Sequence, residues 1–148
     1  MSNLESIGIR VESTSPLTVS AENAIPVLNE IRHALDELQR TGNSTVIDLH
    51  AMPFGPGDRD HLFETLGSGE VTAVIDSLGE TRIRETGYPG VWIVEYFSPN
   101  KAELTVHIEV TPIPSLLTTP REEINDSLQR LASLLDSDPH VTPEGGQE

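Results

Sequence analysis

The hydrophobic residues in the first third of the chain change from an alternating to a helical pattern. Between residues 7 and 11 apolar and polar residues alternate, which predicts a short strand. A helix follows, and because proline is tolerated only in its first turn, Pro26 favours a start with Asn23 as the N-cap. Gly42 is the predicted end of this helix. Its apolar stripe contains Ile25, Leu28, Ile31, Leu35 and Leu38.

The middle of the chain is predicted to form a strand, a short helix and then an antiparallel sheet. Residues 46–49 are apolar enough for a buried strand. Asp58 is the predicted N-cap of the helix, and Gly67 marks its end. Apolar and polar residues then alternate within residues 71–110, where Pro89-Gly90 fits the central positions of a type II turn. This pattern predicts a meander of antiparallel strands.

A last amphipathic helix is predicted after Pro120, since proline is favoured at the first helical position. Its apolar stripe contains Ile124, Leu128, Leu131 and Leu135. Residues 138–148 are rich in proline, glycine and acidic residues, so we expect a disordered acidic tail there. Residues 1–137 are predicted to form a single α+β domain in which helices cover a largely antiparallel sheet.

The composition excludes several classes of function. The 148 residues include no cysteine, which excludes thiolate metal sites, disulfides and cysteine nucleophiles. The formal net charge of −15 opposes binding to nucleic acid or to anionic lipid. No apolar run approaches the roughly 18 residues of a membrane span, and the N-terminus lacks the pattern of a signal peptide. We therefore expect a cytoplasmic protein, whose acidic surface either confers solubility or attracts a basic segment of another protein.

Oxygen and nitrogen ligands for a metal ion occur together only around the start of the short helix. The candidates are His50, Asp58, Asp60 and His61. Their spacing matches no established metal motif, and the other histidines are scattered along the chain. We therefore expect neither a bound metal nor a cofactor.

Three short motifs follow one another in the central region. They are GPGDR at residues 55–59, LGSGEV at 66–71 and ETGYPGVW at 85–92. In this order they resemble the C-terminal region of the HupH/HyaF family, accessory proteins for the expression and maturation of uptake nickel–iron hydrogenases. The resemblance extends from about residue 47 to residue 112.

The resemblance implies a protein that is not an enzyme and that holds a hydrogenase subunit precursor before assembly or export. The small subunit is the favoured partner, because its twin-arginine signal is basic and would be attracted to an acidic surface. No catalytic residue comes with the family. The signature residues expected to be structural are Gly57, Asp58, Gly67, Gly69, Glu70 and Gly90, and those predicted to bind the partner are Glu85, Val91, Trp92, Val94 and Tyr96.

Two alternatives stay open at this point. If one sheet face is left uncovered, Trp92 and its neighbours form an apolar patch that anchors a partner; otherwise Trp92 is a core residue. The chain could also be a small ligand-binding or enzymatic domain. Its cleft would then lie between residues 59–66 and the sheet, where Glu70, Glu85 and His107 would converge.

Overall fold

An antiparallel sheet of five strands forms the centre of the fold. The computed structural model describes residues 23–137, and the chain divides into one unit that ends at Pro112 and a second that begins at Ile113. The strands are β1 (Thr45–Asp48), β2 (Thr72–Asp76), β3 (Glu80–Glu85), β4 (Val91–Phe97) and β5 (Glu103–Val110). They lie in the order β1-β5-β4-β3-β2, with every neighbouring pair antiparallel.

Residues 23–137 contain three α-helices: α1 (Ala24–Thr41) and α2 (Asp58–Leu66) in the first unit, and α3 (Arg121–Ser137) in the second. Helix α1 ends as predicted at Gly42, which adopts a left-handed conformation. The predicted α+β class with a largely antiparallel sheet is therefore confirmed. Within residues 23–137, none of the helices combines the length and the apolar character that crossing a bilayer requires.

The main core lies between α1, α2 and one face of the sheet. Residues at alternating positions of β1, β4 and β5 point toward the helices, as the period of a strand requires. The helices contribute Ala24, Val27, Ile31, Ala34, Leu62 and Leu66 to this cluster, and the sheet contributes Ile47, Val91, Ile93, Val106, Ile108 and Val110. The predicted alignment of the β5 residues on one face is thus confirmed.

Two details of the predicted elements are wrong. The strand near residue 46 is not buried throughout: β1 is an edge strand, with Ile47 in the core and Val46 57% exposed. Asp58 is not an N-cap. Gly57 occupies that position with a φ of 84°, and Asp58 is the first residue of α2, from which its carboxylate reaches backwards along the chain.

Some predictions concern parts of the chain that the structure does not describe. The strand predicted at residues 7–11 and the tail at 138–148 lie outside the described residues. The proposed extent of a single domain, residues 1–137, stays a prediction.

Candidate functional site

Two of the three signature motifs meet beside the end of α2. The backbone N–H of Gly69 donates to the carbonyl oxygen of Glu85 at 2.8 Å, and the N–H of Gly87 donates to the carbonyl oxygen of Leu66, also at 2.8 Å. The carboxylate of Glu85 in addition accepts from the N–H of Glu70 at 3.2 Å. These contacts fix the loop after α2 against the connection between β3 and β4.

Glycine is required at two points of this arrangement. A Cβ atom on Gly69 would lie 2.6 Å from both the Glu85 carboxylate and the Thr86 carbonyl oxygen, a distance that real Cβ atoms do not reach. Gly90 has a φ of 92°, and the N–H of Val91 donates to the carbonyl oxygen of Tyr88 at 2.9 Å. That geometry is a turn with glycine at its third position, as the type II prediction requires.

The remaining motif, GPGDR, joins the start of α2 to the start of α1. Asp58 is 1% exposed, and its Oδ2 accepts from the N–H of Gly55 and from Nδ2 of Asn23, each at 2.7 Å. The side chain of Asn23 therefore binds Asp58 and does not cap its own helix. The other oxygen of Asp58, Oδ1, is buried and has no hydrogen-bond partner. This carboxylate has a structural role at the junction of the two helices.

An apolar groove of about 350 Å³ lies between these fixed segments. Leu28, Ile31 and Leu35 of α1 form one side of it, Leu66 of α2 forms the other, and Tyr88 of the β3–β4 turn lies at its edge. Arg32 and Thr65 complete the lining. The side chain of Tyr88 is half exposed, and Leu28 and Leu35 are only partly buried, so the groove is open to a ligand from solvent.

A cluster of charged side chains links α2 to the face of the sheet that this helix covers. Arg59 donates two hydrogen bonds to the carboxylate of Glu103, at 2.7 and 2.8 Å, and its Nη2 lies 3.6 Å from Oε1 of Glu95. Its guanidinium also lies over the ring of Phe63, at 5.2 Å from the centroid. The hydrogen bonds from Arg59 lower the pKa of Glu103, and a contact with His50 adds to that shift.

The five residues predicted to bind a partner differ in how far solvent reaches them. Val91, Trp92 and Val94 are buried, and Nε1 of Trp92 donates to the carbonyl oxygen of Thr111 at 3.0 Å. Glu85 and Tyr96 are partly exposed. The structure thus places Trp92 in the core alternative, while a partner-binding role for the five residues stays a prediction.

Comparison with known proteins identifies the family of this chain. Residues 21–137 match the family described as the HupH hydrogenase expression protein, C-terminal conserved region. The chain belongs to this family. Its similarity to the HupH/HyaF proteins, expected from the three motifs, is therefore confirmed.

Relatives of this HupH-family chain include proteins from several bacteria. The hydrogenase expression/formation protein HoxQ of Azotobacter vinelandii is 37% identical over 114 residues, which are 76% of this chain and 40% of the relative. The hydrogenase-1 operon protein HyaF of Escherichia coli strain K12 is 28% identical over 112 residues, or 76% and 39% of the two chains. The chain spans about two fifths of the length of these curated relatives.

A solved structure has the same fold as this HupH-family chain. The hydrogenase expression protein HupH from Thiobacillus denitrificans ATCC 25259 is 35% identical and superposes with a TM-score of 0.75. The match covers 78% of this chain and 97% of that one.

Glu85 and His107 do not face the cleft that the enzymatic alternative places between residues 59–66 and the sheet. Glu85 and His107 lie on the sheet face opposite to α2, because they alternate with Arg84 and Ile108, whose positions belong to the face that α2 covers. On that opposite face burial raises the pKa of Glu109, and the ring of His107 packs edge-on against Tyr96. Among residues 23–137, no group of three or more histidine and acidic side chains is arranged to hold a metal ion.

Sequence reasoning missed the groove. It treated Tyr88 only as part of a turn, and it did not predict which residues of the α1 stripe would be covered. The stripe and the buried face of α1 overlap only in part: the buried residues are Ala24, Val27, Ile31 and Ala34, of which only Ile31 belongs to the stripe, and Leu28, Leu35 and Leu38 are partly buried. A stripe that extends beyond its buried residues leaves partly exposed apolar side chains at its margin.

Proposed function

We propose that this chain is an accessory protein in the maturation of an uptake nickel–iron hydrogenase, and that it binds a hydrogenase subunit precursor. The observation that carries the proposal is the apolar groove between α1, α2 and Tyr88, which all three family motifs border or support. The names of the relatives, hydrogenase expression/formation proteins, supply the biological context. The proposal assigns no catalytic residue, cofactor or metal.

The chemistry of the groove favours an apolar segment of a protein chain as its ligand. Its lining is mostly leucine, isoleucine and the ring of Tyr88, with few polar groups. A twin-arginine signal combines a basic stretch with an apolar one. The apolar part would occupy the groove, and the basic part would be attracted by a chain with a net charge of −15. We place this encounter in the cytoplasm, before export, with the small subunit as the partner.

The partner-binding residues expected from the sequence then divide into two roles. Glu85 and Tyr96 are accessible enough to contact a partner directly. Val91, Trp92 and Val94 contribute by packing, because a buried side chain supports a binding surface without touching the ligand. Glu85 also holds the loop after α2 through the N–H of Glu70, so its loss would disturb the end of the groove.

Binding of the precursor and of the signal-deleted subunit to the purified chain tests this function. Tyr88→Ala removes a half-exposed ring from the edge of the groove and should weaken precursor binding about tenfold or more, as expected for an aromatic anchor. Leu78→Ser is the matched control, since Leu78 is 92% exposed and absent from the groove lining. Its affinity should equal that of the wild type.

Measurements at two salt concentrations separate the electrostatic contribution to binding from the apolar contribution of Tyr88. Raising the salt concentration from about 50 to about 500 mM should slow association by screening the acidic surface and leave the Tyr88 effect in place. Equal affinity for the precursor and the signal-deleted subunit would show that the signal peptide is not the segment that binds. If the folded wild type bound neither form, the accessory function itself would be wrong.

A further inference from the structure

Helix α3 presents an apolar stripe that is exposed along its full length. Every residue from Arg121 to Ser137 is exposed. The large apolar side chains are Ile124, Leu128, Leu131, Leu134 and Leu135, with exposed fractions between 46% and 65%. Single exposed leucines are common on protein surfaces, but five on one short helix form a contiguous patch of the kind that binds a partner.

The length of α3 alone gives this helix little stability in water. Helix nucleation is costly, and helices near 15 residues are marginal in water unless an apolar face is packed. Helix α3 has 17 residues and no buried side chain. Covering the stripe would supply the stabilisation that the helix lacks.

The residues beside the stripe favour a second copy of this chain as that partner. Between Ile124 and Leu135 the stripe, which Leu134 widens on one side, is flanked by the uncharged residues Asn125, Ser127 and Ala132. The charged residues of the same span, Asp126 and Arg130, lie on the opposite side of the helix. Two chains of charge −15 repel one another, and an uncharged seam keeps that repulsion away from the contact. A partner selected by complementary charge would instead need charged flanks.

The spacing of the stripe also suits a symmetric contact. Its residues Ile124, Leu128, Leu131 and Leu135 are separated by four, three and four positions, an order that is the same in both directions. Two antiparallel copies can therefore align with Ile124 against Leu135 and Leu128 against Leu131. Small residues then face one another as well, because Ser127 lies opposite Ala132. A contact that uses the same patch on both chains closes into a dimer and does not propagate.

We propose that α3 is a self-association helix, which pairs with the α3 of a second copy in antiparallel orientation. Five side chains contributing about 100 Å² each from both copies would bury roughly 1,000 Å², which reaches the lower limit of a specific interface. The dimer should therefore be concentration-dependent. This proposal is independent of the function proposed above, because none of its residues belongs to the groove.

Sedimentation of the full chain between about 1 and 200 μM tests for the dimer, a range chosen for an interface near the lower size limit. The wild type should change from monomer to dimer within it. Leu128→Glu places a charge in the seam and should raise the dissociation constant at least tenfold. Gln129→Glu adds the same charge one residue further along, outside the stripe, and should leave dimerisation nearly unchanged. Both variants keep a good helix former, and circular dichroism checks that both are folded.

Cross-linking tests the orientation. The natural chain has no cysteine, so introduced cysteines are the only thiols. An affinity-tagged Ile124→Cys chain mixed with an untagged Leu135→Cys chain should form the mixed disulfide, because antiparallel pairing places these two positions opposite each other. Dominant Ile124→Cys homodimers would mean parallel pairing and would overturn the antiparallel arrangement. A wild type that stays monomeric at 200 μM, or a dimer insensitive to Leu128→Glu, would overturn the proposal.

Discussion

Helices α1 and α3 have similar amphipathic patterns but opposite environments. They contain 18 and 17 residues, and each carries leucine and isoleucine at helical spacing. Four residues of α1 are buried, whereas α3 has none. The comparison teaches that a hydrophobic period identifies the apolar side of a helix, but not the surface that will cover it.

The difference arises from contacts that are distant in sequence. Asn23 at the start of α1 donates to Asp58, which is 35 residues away, and a Cβ atom added to Gly90 of the β3–β4 turn would lie 3.7 Å from Leu35 and 3.9 Å from Leu38. The residues buried on α1 belong to the same cluster as Ile108 of β5 and Leu62 of α2. Helix α1 is therefore part of a core assembled from several segments of the chain.

The largest expected effect is a difference between substitutions in α1 and in α3 in how much they lower the free energy of unfolding. Ile31→Ala in α1 should lower the free energy of unfolding by about 3 kcal/mol, because Ile31 is 4% exposed and its removal leaves a cavity. Leu131→Ala in α3 should cost about 0.5 kcal/mol or less in the monomer, since its side chain is already largely in water.

Urea unfolding at low micromolar concentration would measure both values without the influence of self-association. Equal losses for the two variants would contradict the contrast between a covered and an uncovered helix. Repeating the Leu131→Ala measurement at about 200 μM should reveal a larger loss if α3 pairs with a second copy, by the linkage between association and stability.

A second prediction extends the comparison to the sheet face opposite to α1. Trp92 is 6% exposed, and its Nε1 donates to the Thr111 carbonyl oxygen at 3.0 Å. Trp92→Phe keeps an aromatic ring but loses volume and this hydrogen bond, so we expect a loss of about 2 kcal/mol in the free energy of unfolding. Thermal or urea unfolding measures it. A loss below about 0.5 kcal/mol would mean that Trp92 is not held as a core residue.

The sequence predicted the elements whose signals are local. Pro26 and Gly42 bound α1 closely, and Pro89-Gly90 identified the turn between β3 and β4, because each of these residues restricts its own backbone. Alternation along β5 likewise predicted which of its residues face the helices. Such signals need no knowledge of the rest of the fold.

The parts that could not be predicted depend on segments brought together by folding. The groove combines α1, α2 and the turn at Tyr88, and no single stretch of sequence indicates that they meet. Asp58 looked like an N-cap, because the sequence could not show that its carboxylate has Asn23 as a partner. The alternative with a cleft around Glu85 and His107 assumed that these residues face α2, whereas they lie on the opposite face of the sheet.

A smaller loss of stability is expected from replacing Gly90 in the turn between β3 and β4. Gly90→Ala should cost about 1 kcal/mol, because a residue with a Cβ atom is strained at a φ of 92°. Gly42→Ala is the matched control: its φ is 77°, and an added Cβ would meet nothing within 4 Å. Similar losses of stability in the two variants would show that backbone strain alone causes the destabilisation. A clearly larger loss at Gly90 would show that the added methyl group also disturbs Leu35 and Leu38, from which it would lie 3.7 and 3.9 Å away.

The smallest expected effect on stability comes from the ion pair between Arg59 of α2 and Glu103 of β5. Two hydrogen bonds from Arg59 lower the pKa of Glu103 below its ordinary value of 4.5. A carboxyl group whose pKa is lower in the folded state adds stability above its unfolded pKa, and that stability is lost as the pH falls through the folded value. Because both side chains are partly in water, the contribution should be about 0.5 kcal/mol at pH 7.

Glu103→Gln removes this contribution and should therefore make the protein less stable at pH 7 by that amount. The difference from the wild type should shrink as the pH falls below about 4.5 and should vanish once the pH lies below the lowered folded-state pKa of Glu103, where the wild-type carboxyl group is protonated as well. Urea unfolding at a series of pH values measures this difference, with Glu64→Gln on α2 as a control for the loss of one negative charge. A difference that stays constant across the series would mean that Glu103 acts through packing and not through its charge.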